Sequence, residues 1–351
     1  MKIVVCGNYG AGNMGDEMIL QGLLSLLKKI TPSAEVTVLS ANPSETSKTY
    51  GVKSAPKFPA GIRSLIKGCD ETKKIVKECD LFILGGGGLF GNLTFQANFI
   101  WGIQAIMAYR YGKPVVMIGQ SIGRIKGFFQ RRMVRYLFNK ASFIGVRDQQ
   151  SRTRLKRMKV RRKILVSPDL ALYNHNGKTV NTIHQLSVCL RDISTLPSGF
   201  HRNISSFLDW IISKHNWEVT LINFQEPDDR RINEKILEKM QHANKVIYPG
   251  TIDQFYSSKI ILGMRLHSII TAIKEQIPFI AINYASKVED FLEYAGLKQE
   301  ICVTKFPKLQ EKFEEILKNY PQKREGIEKF LDRLKPEFRK LERSLKKMVV
   351  R

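Results

Sequence analysis

Short apolar runs that end in Gly, Asp or Ser recur along the chain, with segments of helical period between them. KIVVCG at the start reads as a buried strand, and EMILQGLLSLLKKI after it spaces Ile19, Leu23, Leu24 and Leu27 at helical intervals. EVTVLSA, DLFILGGGG (80–88), KPVVMIGQS (113–121), ASFIGVRD (141–148) and KILVSPDLAL (163–172) repeat the strand form. Such alternation predicts a parallel sheet covered by helices, with the loops that matter at the carboxyl ends of the strands. Residues 173–185 lose the apolar pattern and read as a linker. The pattern restarts with LSVCLRD (186–192), a helix around 204–215, EVTLINFQ (218–225), a helix around 230–242, KVIYPG, KIILGMRLHS and PFIAINY (278–284).

The expected fold is therefore α/β, with two Rossmann-like parallel-sheet domains, 1–175 and 185–306. Facing each other across a cleft, they would put both sets of strand-end loops around one substrate. A basic amphipathic helical segment, 307–351, follows. In it Leu331, Leu334, Phe338, Leu341, Leu345 and Met348 recur at three and four, while Pro336 should bend or interrupt the helix. Two readings of this segment stand: a helix packed on the body, or one that rests on a membrane surface or bridges domains.

Composition narrows the class. No apolar run approaches the roughly 20 residues that span a bilayer, and MKIVVCGNYG lacks the apolar segment of a secretory signal, so a cytoplasmic protein is expected. The five cysteines are widely spread and form no C-x-x-C pair, which argues against a disulfide scaffold or a zinc site. Cys6, at the end of the first strand, reads as a small core residue. The net charge of +25 is extreme and acts on partners through a positive field. Nucleic acid, phosphorylated small molecules and an anionic membrane face all fit it. Much of the charge is local: residues 149–163 carry eight Lys or Arg and no acid.

Five strand-end loops carry the candidate chemistry. GNYGAGNMGDE (7–17) combines glycines with Asn8, Asn13 and Asp16 at the mouth of a helix, where the backbone can approach a ligand and the helix end favours an anion. It contains no GxxxxGKS or GxxxxGKT phosphate-binding P-loop. Asp16 could accept a proton from a sugar hydroxyl or could simply be the helix N-cap. GGGGLFGN (85–92) offers Gly86, Gly87 and Asn92, and GQSIGR (119–124) offers Gln120 and Ser121 as neutral hydrogen-bonding groups. In GVRDQQS, Arg147 suits bidentate binding of a carboxylate or phosphate, or else a surface ion pair, and Asp148 and Ser151 are capping candidates. GMRLHSII (263–270) adds Arg265, His267 and Ser268. If the chain is still extended there, Arg265 and His267 share a face, giving a fixed cation beside a titratable group; a structural role for the histidine stands as the alternative.

In this order, GNYGAGNMGDEMIL, LGGGGLFGN, GQSIG, GVRDQQS, SPDLAL, GMRLHS and PFIAINYASKVEDF, the sequence resembles the polysaccharide pyruvyl transferase family, in particular its cell-wall polysaccharide branch. The resemblance covers most of residues 1–296, with RLHS where many relatives have RLHA. It implies a GT-B-like fold and transfer of the enolpyruvyl group of phosphoenolpyruvate to two hydroxyls of one sugar, forming a cyclic ketal. Phosphoenolpyruvate is then a donor substrate, with no cofactor and no metal. By the same resemblance Arg147, Arg265 and His267 are donor-binding or catalytic residues; the reading of the loops themselves adds Asp16 as a candidate for hydroxyl activation, with Asp148 behind it. A lipid-diphosphate-linked glycan is the implied acceptor, reached by peripheral attraction to an anionic membrane. A GT-B-type glycosyltransferase using a nucleotide sugar is the second reading. A nucleic-acid-binding protein is the remote third, because the basic stretches lack an aromatic interleave or a recognised module.

Overall fold

A computed structural model of the chain describes residues 1–58, 70–91, 95–173 and 183–349. It divides into two compact units, Met1–Asn174 together with Leu334–Arg351, and His175–Arg333. Each is an α/β unit built on a parallel sheet, as the alternation of runs predicts.

The first unit's strands are β1 (Lys2–Cys6), β2 (Glu35–Ser40), β3 (Lys53–Pro56), β4 (Leu81–Leu84), β5 (Gly87–Phe90), β6 (Val115–Ile122), β7 (Phe143–Val146) and β8 (Leu165–Val166). Their order is β3-β2-β1-β4-β6-β7-β8, with β5 paired to β6, and every pairing is parallel. The chain runs outward from β1 to β3 and returns on the other side as β4. Cys6 is in register with both Leu39 and Leu84, so the loops after β1 and β4 leave the sheet side by side at its topological switch. Central strands such as KIVVC and LFIL are apolar without alternation because both faces of the sheet are covered.

Two details depart from the sequence reading. GGGGLF is not all loop, since Gly87–Phe90 forms β5 and pairs with β6 through Gly87–Gln120 and Phe90–Ile122. Nor do Gln120 and Ser121 lie on a loop, because β6 continues to Ile122 past an irregularity at Gly119, whose positive φ of 66° lets the strand bulge and go on.

The second unit holds β9 (Gln185–Cys189), β10 (Glu218–Leu221), β11 (Val246–Ile247), β12 (Ile260–Gly263), β13 (Phe279–Ile282) and β14 (Ile301–Cys302), in the order β11-β10-β9-β12-β13-β14, again all parallel. Its switch lies between β9 and β12, where Gly263 is in register with Cys189. β3 and β14 were not legible as strands: KSAP has one fully apolar interior position, and IC is two residues long.

The last helix runs without a break over Tyr320–Val349, with Pro336 inside it. A proline in a helix interior costs about 3 kcal/mol, whereas each fully buried large apolar side chain contributes roughly 1.5–3 kcal/mol. Phe338, Leu341 and Leu345 are all buried beyond the proline, and Phe338 packs edge-on against Tyr173 with ring centroids 5.2 Å apart. Packing therefore outweighs the lost hydrogen bond, and the apolar stripe of this helix is covered. Among the described residues, no helix is long and apolar enough to cross a membrane.

Candidate active site

In the first unit the site grows from the loop between β1 and the helix Met14–Ile30. Asn13, rather than Asp16, is the N-cap of that helix, its side chain accepting the Gly15 N–H at 3.0 Å. This frees the Asp16 carboxylate for the space over the strand ends. It is buried, takes a hydrogen bond from Asn8 Nδ2 at 2.8 Å, and lies against Gly87, where an added Cβ would stand 3.0 Å from Oδ1 on a backbone of φ 106°. Burial pushes its pKa up to about 6; the Asn8 hydrogen bond opposes this, Glu17 adds to it, and Arg147 opposes it.

Beside Asp16 is a residue that sequence reasoning passed over. Tyr9 is fully buried, and its ring so nearly fills the gap to the next loop that a Cβ on Gly85 would meet Tyr9 Oη at 1.9 Å. Its hydroxyl has no hydrogen-bond partner among the described residues, and burial, with Asp16 nearby, keeps the phenol well above its ordinary pKa. It is a neutral donor next to a carboxylate of raised pKa. Gly86 packs on the backbone of Gly119, where a Cβ would come 2.8 Å from the carbonyl oxygen. Gln120 is buried and ties β6 to the end of β4 by donating to Leu84 O at 3.0 Å and to Gly85 O. Asn92 lies outside the described residues.

Arg147 follows β7 directly. Its side chain is 10% exposed and the guanidinium donates to Asp169 Oδ2 at 2.9 Å, while Asp169 Oδ1 accepts the Ala171 N–H at 3.0 Å. It is thus held nearly buried by one carboxylate, not dispersed in a surface ion pair. Asp148 has a capping duty, accepting the Ser151 N–H at 2.6 Å, with Ser121 Oγ at 3.5 Å and Arg147 Nε at 4.0 Å. Ser151 does not share that duty, because its hydroxyl accepts the Ile122 N–H at 2.8 Å.

In the second unit, β12 ends at Gly263, Arg265 is extended (φ −73°, ψ 134°), and a helix begins at Leu266. His267 therefore sits in the first helical turn, and Arg265 and His267 are not successive same-face positions of a strand. The Arg265 side chain turns to Asp229, donating from Nε at 2.9 and 2.7 Å and also from Nη2, while Nη1 donates to Gln225 Oε1 at 3.0 Å. Asp229 in turn accepts the amides of Phe224 and Gln225 at 2.9 and 3.0 Å. Burial raises the Asp229 pKa, with Arg265 and these amides opposing. Removing one partner of so buried a pair costs about 3–5 kcal/mol, so the pair fixes the guanidinium in place. Ser268 Oγ donates to Arg265 O at 2.7 Å and steadies the start of the helix.

Two further cations gather at the same end of this sheet. Arg191, just beyond β9, donates to Tyr284 Oη at 3.4 Å, and Lys287 Nζ lies 5.2 Å from the Tyr284 ring centre. Burial would raise the Tyr284 phenol, but Lys287 and Arg191 outweigh it and bring its pKa below the ordinary value. The carboxyl ends of β9, β12 and β13 thus present Arg191, Arg265 and Lys287, a set suited to anionic groups.

The model of the family described as polysaccharide pyruvyl transferase matches residues 13–286. The chain belongs to that family. Among curated proteins, the amylovoran biosynthesis protein AmsJ of Erwinia amylovora is 22% identical over 366 aligned positions, covering 85% of this chain and 87% of that protein. Two solved structures show the same GT-B-like fold at 12% identity. A UDP-N-acetylglucosamine 2-epimerase from Listeria monocytogenes, described as putative, has a TM-score of 0.63 over 93% of this chain and 91% of its own. A glycosyltransferase from Rickettsia africae has 0.62 over 100% and 99%.

For this pyruvyl transferase family member, the sequence motifs located the strand-end residues but not their partners. Asp169 stands in SPDLAL and Asp229 in QEPDD, where each reads as a turn or cap residue. Arg191 carried a signal, since it follows the apolar run LSVCL as Arg147 follows FIGV.

Proposed function

We propose that the chain transfers the enolpyruvyl group of phosphoenolpyruvate to two hydroxyls of one sugar in a cell-wall polysaccharide precursor, forming a cyclic ketal and releasing phosphate. The observation that carries this reading is the family match, in a chain whose arginines after β7 and β12 are each held by a buried carboxylate. Arg147 and Arg265 would neutralise the donor's phosphate and carboxylate. His267 would deliver a proton to the methylene carbon, and the adjacent carbon, gaining oxocarbenium character, would be attacked by one sugar hydroxyl. Departure of phosphate, which takes up the second hydroxyl's proton, and attack by that hydroxyl on the same carbon would close the ketal. Asp16, poised by its raised pKa, is our candidate to take the proton from the hydroxyl, with Tyr9 as a neutral donor beside it. Arg191 and Lys287 would hold a further anionic group, consistent with an acceptor linked to a lipid diphosphate at the cytoplasmic face of a membrane.

The test is incubation with phosphoenolpyruvate and candidate lipid-linked disaccharides, read by phosphate release and product mass. An acid-labile pyruvate adduct supports the proposal. Release of nucleotide diphosphate from a nucleotide sugar, with no use of phosphoenolpyruvate, would replace it by a glycosyl transfer. His267→Ala should lower kcat by about 10²–10⁴-fold with its melting temperature little changed. Full activity in that variant would remove His267 from the mechanism. Arg265→Ala is the poorer probe, because it strands the buried Asp229; Arg265→Lys keeps a cation there while losing the bidentate geometry.

A further inference from the structure

Much of the chain's charge falls in one stretch of the first unit. Residues 121–163 contain 15 Lys and Arg and one acid, Asp148, a net +14 of the whole +25 in 43 residues. That one carboxylate is engaged in capping its helix. Within this stretch lies the helix Phe128–Lys140, which buries Val134, Leu137 and Phe138 and turns the other side outward. The outward side is made of cations and aromatic rings. Arg131, Arg132, Arg135 and Lys140 are exposed on it, Tyr136 is 52% exposed, and Phe128 and Phe129 at its start are 70% and 75% exposed. Beside the helix is an open pocket of about 730 Å³ whose charged lining is Arg124, Lys126, Arg131, Arg154 and Arg157.

Single exposed apolar residues are ordinary, but two adjacent phenylalanines, packed on each other with centroids 5.6 Å apart and ringed by cations, demand a partner that is apolar and negative at once. A second copy of the chain does not qualify, since this cationic face would meet its like and be repelled. Single-stranded nucleic acid supplies the charge, but the two rings stand 80° apart and do not form a platform for successive stacked bases. An anionic bilayer supplies both parts. Its headgroups match the cations, and its acyl boundary accepts side chains that reach beyond them.

We propose that this face docks the protein on an anionic lipid bilayer, with Phe128 and Phe129 inserted into the interface and the surrounding arginines and lysines on the headgroups. Neither signal alone holds a protein on a membrane firmly, whereas a polybasic surface joined to an apolar insertion does. The C-terminal helix contributes charge at most, because its apolar side is buried.

The full chain would be sedimented with phosphatidylcholine vesicles with and without phosphatidylglycerol, at low and high salt. Binding should require phosphatidylglycerol and weaken with salt. Phe128→Ser/Phe129→Ser should lose about tenfold or more in affinity at an unchanged melting temperature, and Arg131→Gln/Arg132→Gln/Arg135→Gln should lose a comparable factor. In a second measurement, Phe129→Trp fluorescence should shift to the blue and be quenched by brominated acyl chains only when phosphatidylglycerol is present. Unchanged vesicle binding by the phenylalanine variant, or a tryptophan that stays in water, overturns the proposal. So does a dimer in light scattering that the phenylalanine variant dissolves, or oligonucleotide binding that depends on the same two rings while vesicle binding does not. None of these measurements uses turnover, so they stand or fall apart from pyruvyl transfer.

Discussion

Asp16 makes the cost of a poised carboxylate measurable. Its pKa in the fold is about 6 against an ordinary 3.8, so the folded chain binds this proton more tightly than the unfolded chain does. The sign follows directly: the group's contribution to stability is fully present below about 3.8 and is lost as pH rises through about 6. Asp16→Asn, which still accepts from Asn8, should therefore stabilise the protein by about 1–3 kcal/mol at pH near 7.5 while losing turnover. The gain should vanish below about pH 4. Urea unfolding at the two pH values checks this, and a variant less stable at neutral pH would show that the carboxylate is better solvated than its burial implies. The residue itself was legible, standing with Asn8 in one loop that ends a strand and opens a helix. Asp169 and Asp229 were not, because each meets its arginine from 22 and 36 positions away and no local spacing announces such a pairing.

At the level of elements, periodicity was the reliable guide and local breaker residues were not. Leu266, Ile269, Ile270 and Ile273 are buried at helical spacing, which explains why the chain turns helical immediately after Arg265 instead of staying extended through His267. The four glycines misled in the opposite direction: they look like a loop, yet two of them enter β5, since a parallel neighbour supplies the hydrogen bonds that side chains do not. Pro336 shows the same hierarchy, an interruption by local rules that becomes a continuous helix once its stripe is buried. Pro336→Ala should accordingly stabilise the protein, by about 1–3 kcal/mol, with no change in helix content. Circular dichroism with thermal unfolding would test it, and a loss of stability would mean that the proline ring is itself part of the packing.

For the molecule as a whole, the two-unit α/β plan was legible from the restart of the strand pattern near 186, whereas the distribution of surface charge needed the fold. A positive field of this size should concentrate a small, multiply charged donor such as phosphoenolpyruvate near the strand ends. On the proposed activity, kcat/KM for the donor should fall several-fold from low to high salt with kcat nearly constant, because screening acts on encounter. Equal effects on both constants would place the electrostatics in the bound state instead. The chain path has a consequence of another kind. Residues 334–349 belong to the first unit, where Glu342 bonds Lys29 and Tyr173 at 2.8 Å and Phe338 covers the same tyrosine, yet they are made after the entire second unit. During synthesis the second unit's whole sheet is therefore made before this stretch of helix can reach its place against Lys29 and Tyr173.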